Sequence, residues 1–153
     1  MITSSLLNEY GESHKNHANI MVHEICVPMI FFCVTGMLYC ITVGIVIWGG
    51  YELNIALLVS PFLLYFYIRL SPLIAIGMFL FLALCLALCS FMSYLGLPLL
   101  LICIVLFVLS WIAQIWGHKV EGNKPAFLKD LVFLLVGPSW IVRSLYRKMG
   151  IEI

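Results

Sequence analysis

The sequence predicts an all-α integral membrane protein: four transmembrane helices in an antiparallel bundle, followed by an interfacial or re-entrant helical segment near the C-terminus. Three observations lead there. The chain has 153 residues, 64% hydrophobic and 10% charged, against about 45–50% apolar and about 25% charged in soluble domains. Residues 25–116 carry only two charges, Glu52 and Arg69. The apolar residues fall into blocks of membrane-crossing length, separated by short links. The length fits a single membrane domain over residues 1–153.

Residues 1–24 are polar and acidic and lack the basic start of a secretory signal, so the first span acts as its own insertion signal. A crossing helix needs about 20 apolar residues, roughly 17–25. The first such block is 26–48, from Cys26 to Trp48. The second is 53–70, where Arg69 snorkels outward from the end of a short apolar run. The third and fourth are 72–92 and 95–116. The links Gly49-Gly50-Tyr51-Glu52, Ser71-Pro72 and Ser93-Tyr94 are short, which implies antiparallel neighbours. Glycine and proline mark these boundaries by breaking helix geometry. The last segment, 127–142, is too short in its apolar part to span and is interrupted by Gly137-Pro138. It reads as an interfacial or re-entrant helical hairpin.

The basic residues agree with this count. Four spans with the N-terminus inside place Lys15, Arg69, Lys119, Lys124, Lys129, Arg143, Arg147 and Lys148 on the cytoplasmic side. The opposite loops, near 49–52 and 93–96, hold no Lys or Arg, as the positive-inside tendency requires. Both termini are expected in the cytoplasm. Short termini without a retention signal fit a bacterial inner membrane better than an endoplasmic reticulum. The cysteines, Cys26, Cys33, Cys40, Cys85, Cys89 and Cys103, lie in or beside apolar runs with no C-x-x-C pair. They read as small packing residues rather than a disulfide framework.

An even number of crossings brings both ends of the hydrophobic mass to one face. Those ends hold every histidine: His14, His17 and His23 before the first span, His118 after the last. Ionisable groups gathered at a bilayer are expensive and point to function. The cluster His14, Asn19, His23, Gln114, His118 and Glu121 offers imidazole and carboxylate, a donor set suited to iron or zinc. Asn19 and His23 stand at i, i+4 and share a helix face, as do Gln114 and His118. Gly117 and Gly122 point to a helix end around His118 and Glu121. His14 and His23 fall on opposite faces of a straight helix, so they converge only across a helix break or from separate segments. Each residue has a plainer alternative. His23 could be an interfacial histidine bonded to a carbonyl, His118 a cap on the helix dipole, Glu121 a partner of Lys124, and Gln114 interhelical glue. His17 reads as a surface residue. There is no H-E-x-x-H motif, phosphate loop or nucleophile elbow, and nothing points to nucleic acid as a partner.

Two segments together resemble a known family. The first runs Tyr10-Gly11-Glu12-Ser13-His14, then Asn19, then His23-Glu24-Ile25-Cys26-Val27-Pro28. The second is Gln114-Ile115-Trp116-Gly117-His118-Lys119-Val120-Glu121-Gly122-Asn123-Lys124-Pro125-Ala126-Phe127. They are similar to the paired signatures of the DUF962 family, membrane-embedded iron(II)-dependent 2-hydroxy fatty acid dioxygenases, and the likeness extends over the whole chain. It implies fatty-acid α-oxidation: shortening of a 2-hydroxy fatty acid by one carbon with molecular oxygen. It implies Fe(II) held by His14, His23 and His118, with Glu121 at the family's acidic position and Glu121 or Asn19 as a ligand or orienting partner. Cys26 stands where many relatives have glycine. Asn19, Gln114, Lys119, Lys124 and Arg143 are candidates to line the substrate, the basic residues balancing the carboxylate. Membrane lipids are implied partners, and a homo-oligomer is allowed. A metal- or haem-binding membrane carrier and a non-enzymatic membrane subunit are the alternatives.

Overall fold

The computed structural model describes the backbone of residues 17–47, 49–50, 52–121 and 127–151, and the side chains of 19–47, 49–50, 52–120 and 135–151. Among these residues the elements are α1 (His17–Tyr39), β1 (Thr42–Val46), β2 (Glu52–Asn54), α2 (Ile55–Leu70), α3 (Pro72–Tyr94), α4 (Leu99–Glu121) and α5 (Phe127–Lys148). Three stretches are long and apolar enough to cross a membrane: Asn19–Tyr39, Pro72–Tyr94 and Leu99–Val120. Helix α2 has 16 residues. That makes about 24 Å of helix against a hydrocarbon core of about 30 Å.

The first helix departs from the expected 26–48. It has 23 residues, the expected length, but lies nine residues earlier at both ends (17 against 26, 39 against 48). The reason is local. Thr42-Val43-Gly44-Ile45-Val46 is β-branched except for its glycine, and such side chains favour an extended chain. This run pairs antiparallel with Glu52–Asn54, Thr42 opposite Asn54 and Val46 opposite Glu52, with a register irregularity between them. Gly44 sits inside that irregularity at φ 72°, a conformation that glycine adopts without Cβ strain. Among the described residues the fold is helical as expected, five helices with a small β-hairpin between α1 and α2.

The other boundaries follow from caps. The Asn54 side chain accepts from the Leu57 N–H at 3.0 Å and starts α2. Ser71 is extended (φ −165°, ψ 134°) because Pro72 disfavours helical geometry in the residue before it. One residue thus separates α2 from α3, and the two helices pack together. Helix α3 ends in a Schellman turn. The Leu97 N–H donates to the Met92 carbonyl at 3.1 Å and the Gly96 N–H to the Ser93 carbonyl at 3.0 Å, with Gly96 at φ 69°. This turn delays α4 to Leu99, where the sequence pointed to 95.

The expected hairpin at 127–142 is instead one helix, α5, with Pro138 inside it. Residues 136–139 are all buried, and the Ser139 hydroxyl donates to the Val136 carbonyl at 2.6 Å. Tertiary burial holds together a helix that Gly137-Pro138 alone would weaken.

The chain divides into two compact units, Met1–Phe31 with Phe107–Ile153, and Phe32–Leu106. In the second unit, thiols of Cys33, Cys85, Cys89 and Cys103 fill the interior. A Cβ on Gly36 would overlap the Cys103 sulfur and lie 3.5 Å from that of Cys89. All six cysteines are free and all but Cys40 are buried, as packing residues should be. In the first unit the described core is Cys26, Val27, Ile30, Phe31 and Val136, with five polar residues among them: Asn19, His23, Ser110, Gln114 and Ser139.

A Cβ on Gly96 would meet nothing within 4 Å, so Gly96→Ala isolates backbone strain. It should lower stability by about 1 kcal/mol in detergent-based unfolding, and Gly96→Asn by less.

Candidate functional site

The polar residues of the first unit come from α1 and α4. Asn19 is fully buried and His23 is 5% exposed. One turn apart, they face inward together because i, i+4 positions share a helix face. On α4, Gln114 is 8% exposed and Ser110 is 7% exposed. With His118 they make a polar stripe at four-residue spacing along an otherwise apolar helix. The earlier start of α1 puts Asn19 and His23 on a regular helix rather than in a leader before a span.

The two helices meet at Gly117. A Cβ built there would lie 2.5 Å from Asn19 Oδ1 and 3.5 Å from both Asn19 Cγ and Val22 Cγ1. Helix α4 runs through Gly117 and is described to Glu121, within the stretch where a helix end is expected. The glycine is an approach point between helices. Next to it, the His118 ring meets the His23 ring edge to face, with centroids 4.9 Å apart and planes at 77°.

His23 Nδ1 lies 3.0 Å from the Asn19 carbonyl oxygen. A carbonyl only accepts, so Nδ1–H donates and a neutral ring carries its lone pair on Nε2. Metal-binding histidines are commonly oriented in this way, one nitrogen held by a carbonyl and the other turned to the ion. The same bond also satisfies the plainer reading of His23 made from sequence, a histidine bonded to a carbonyl.

The remaining candidates scatter. Lys119 is exposed at the end of α4 and Arg143 is half-buried on α5. Burial, and then the neighbouring Arg147, push the Arg143 guanidinium below its usual range. Lys148 Nζ and Glu24 Oε1 are 3.8 Å apart, an exposed pair between α5 and α1 of small energetic weight. His14 and Lys124 lie outside the described residues, as do the side chains of His17 and Glu121. Among the described residues, no three His, Cys, Asp or Glu side chains form a group able to hold a metal. What the described residues bring together is a pair of imidazoles. Sequence reasoning missed Ser110 and the contact role of Gly117. The spacing Ser110, Gln114, His118 was a legible signal for the first.

These features define a class: a helical protein with membrane-compatible spans and paired histidines where two helices approach. The chain belongs to the 2-hydroxy-palmitic acid dioxygenase Mpo1-like family, whose sequence profile matches residues 3–149. No curated protein and no solved structure matches it.

The tautomer is directly testable. Long-range proton–nitrogen correlation spectra at neutral pH should show His23 protonated at Nδ1, whereas free histidine favours Nε2–H.

Proposed function

We propose that this chain is an iron(II)-dependent dioxygenase that shortens 2-hydroxy fatty acids by one carbon. The observation that carries this reading is the His23–His118 pair, 4.9 Å between ring centroids, in a chain of the 2-hydroxy-palmitic acid dioxygenase Mpo1-like family. The overall reaction balances as 2-hydroxy acid plus dioxygen giving the acid one carbon shorter, carbon dioxide and water.

The chemistry of the described donors supports iron as the metal. Two imidazoles stand close together, and one is oriented by a carbonyl through Nδ1. His23 and His118 would hold the ion, with His14 and Glu121 as the further ligands drawn from the family signature. Bound iron(II) would activate dioxygen for cleavage of the C1–C2 bond, with the electrons that reduce the oxygen coming from the 2-hydroxy acid. Asn19 orients His23 through its backbone carbonyl. Gln114, one turn from His118, would hydrogen-bond the 2-hydroxyl or carboxylate. Arg143, half-buried on α5, with Lys119 and Lys124, would add positive charge for a fatty-acid carboxylate.

A bilayer location follows from the substrate. Each methylene of an acyl chain gains roughly 0.8 kcal/mol on leaving water. The apolar faces of α1 and α4 near the histidines, with Met21, Ile25, Ile112, Ile115 and Trp116 exposed, offer a surface along which a tail already in the membrane reaches the site. We place both termini in the cytoplasm, on the side that holds the basic residues.

His23→Ala or His118→Ala should abolish iron retention in anaerobically purified protein, and oxygen uptake with 2-hydroxypalmitate, while the protein stays in the membrane. Full turnover in either variant sinks the assignment, and a Soret band in the purified wild type would favour a haem carrier. Arg143→Gln should raise KM for the 2-hydroxy acid about tenfold, the equivalent of about 1.4 kcal/mol, with a smaller effect on kcat.

A further inference from the structure

We propose that Gly117 is a positioning residue. Its missing side chain sets the separation of α1 and α4 at Asn19, and through that the approach of the His23 and His118 rings. The inference builds on the paired histidines as the reactive site, but its geometric core stands whether or not they bind iron.

Glycine inside a helix costs about 1 kcal/mol relative to alanine, so Gly117 is not there to stabilise α4. It is buried, and what it permits is contact. The space a Cβ would need is taken by Asn19 Oδ1 at 2.5 Å, with Asn19 Cγ and Val22 Cγ1 each at 3.5 Å. An ordinary contact needs roughly 1 Å more than the first of these distances. The Asn19 side chain is short and fully buried, so it cannot swing into solvent to make room. Interiors are packed too tightly to absorb such a shift locally. Helix α4 must therefore move away from α1.

Asn19 joins this contact to both rings. Its side chain abuts Gly117, the residue before His118, and its carbonyl accepts from His23 Nδ1 at 3.0 Å. A displacement at Gly117 is passed directly to the ring pair, and a misplacement of about 1 Å in a reacting constellation costs on the order of 100-fold in rate. The Asn19 carbonyl belongs to the backbone, so truncating the side chain leaves that hydrogen bond in place. This makes the contact separable from the orientation of His23.

The test compares wild type, Gly117→Ala, Asn19→Ala and the double variant Asn19→Ala/Gly117→Ala, each in lipid bilayers with isotope-labelled histidine. Solid-state NMR reads the cross-peak between the His23 and His118 rings. Because that signal falls as the inverse sixth power of distance, moving from 4.9 Å by about 1 Å weakens it about threefold. We expect Gly117→Ala to weaken the cross-peak about threefold and the double variant, which lacks the obstructing amide, to restore it. Cobalt(II) absorption and oxygen uptake should follow the cross-peak in Gly117→Ala. An unchanged cross-peak in Gly117→Ala overturns the proposal. If Gly117→Ala does not fold, the double variant decides: a restored cross-peak supports the proposal, and a missing one in folded protein overturns it. A cross-peak that behaves as expected in protein binding neither iron(II) nor cobalt(II) supports the positioning role and removes the dioxygenase reading alone.

Discussion

The approach of α1 to α4 at Asn19 and Gly117 is the constraint on which the histidine site depends. Two imidazoles on separate helices meet only if the backbones between them come close, and a side chain at Gly117 would hold them apart. Membrane helices lack a hydrophobic force drawing them together, because lipid tails are as apolar as leucine. Small residues that allow close backbone contact therefore carry more weight there than in water. Gly36 works in the same way in the second unit, where its bare Cα accepts the sulfur of Cys103. Both glycines lie inside helices at places where another element needs their space.

The polar residues of the first unit make sense around that contact. Burying an amide or imidazole without a partner costs about 1–3 kcal/mol, and more where lipid replaces water. A chain of this composition would normally exclude Asn19, His23 and Gln114 from its interior. The burial of all three is hard to explain as packing, since leucine would fill the same volume at lower cost. It is what the proposed site would need: donors and acceptors held away from bulk water. The backbone carbonyl of Asn19 sets the tautomer of His23 while its amide abuts α4, so one residue links orientation within a helix to spacing between helices.

The early start of α1 serves the same end. A helix over 26–48 would have left His23 in a polar leader, with no regular face to present. Starting at His17 gives the imidazole a full turn of helix before it and a carbonyl at i−4 to hold it. The residues released at the other end form β1, whose β-branched side chains suit a hairpin better than a helix. The same number of helical residues is kept, but their placement changes what they carry.

Composition alone determined that this is a helical chain with segments long and apolar enough to cross a membrane, because a run from residue 25 to 116 with two charges has few other stable fates. The four-residue spacings Asn19–His23 and Gln114–His118 determined which polar residues share a face, since that follows from the period of the helix. Pairwise proximity between distant segments was out of reach, because it depends on how two surfaces fit. Gly117 marks the approach to a helix end, and its contact with Asn19 was not visible in the spacing. Gly137-Pro138 looked like a break and lies inside a helix whose burial outweighs the local cost. Thr42–Val46 looked like the end of a span, and its partner strand drew it into a sheet. In each case a local preference of about 1 kcal/mol was decided by packing against residues far away in the chain, and that packing exists only in the folded structure.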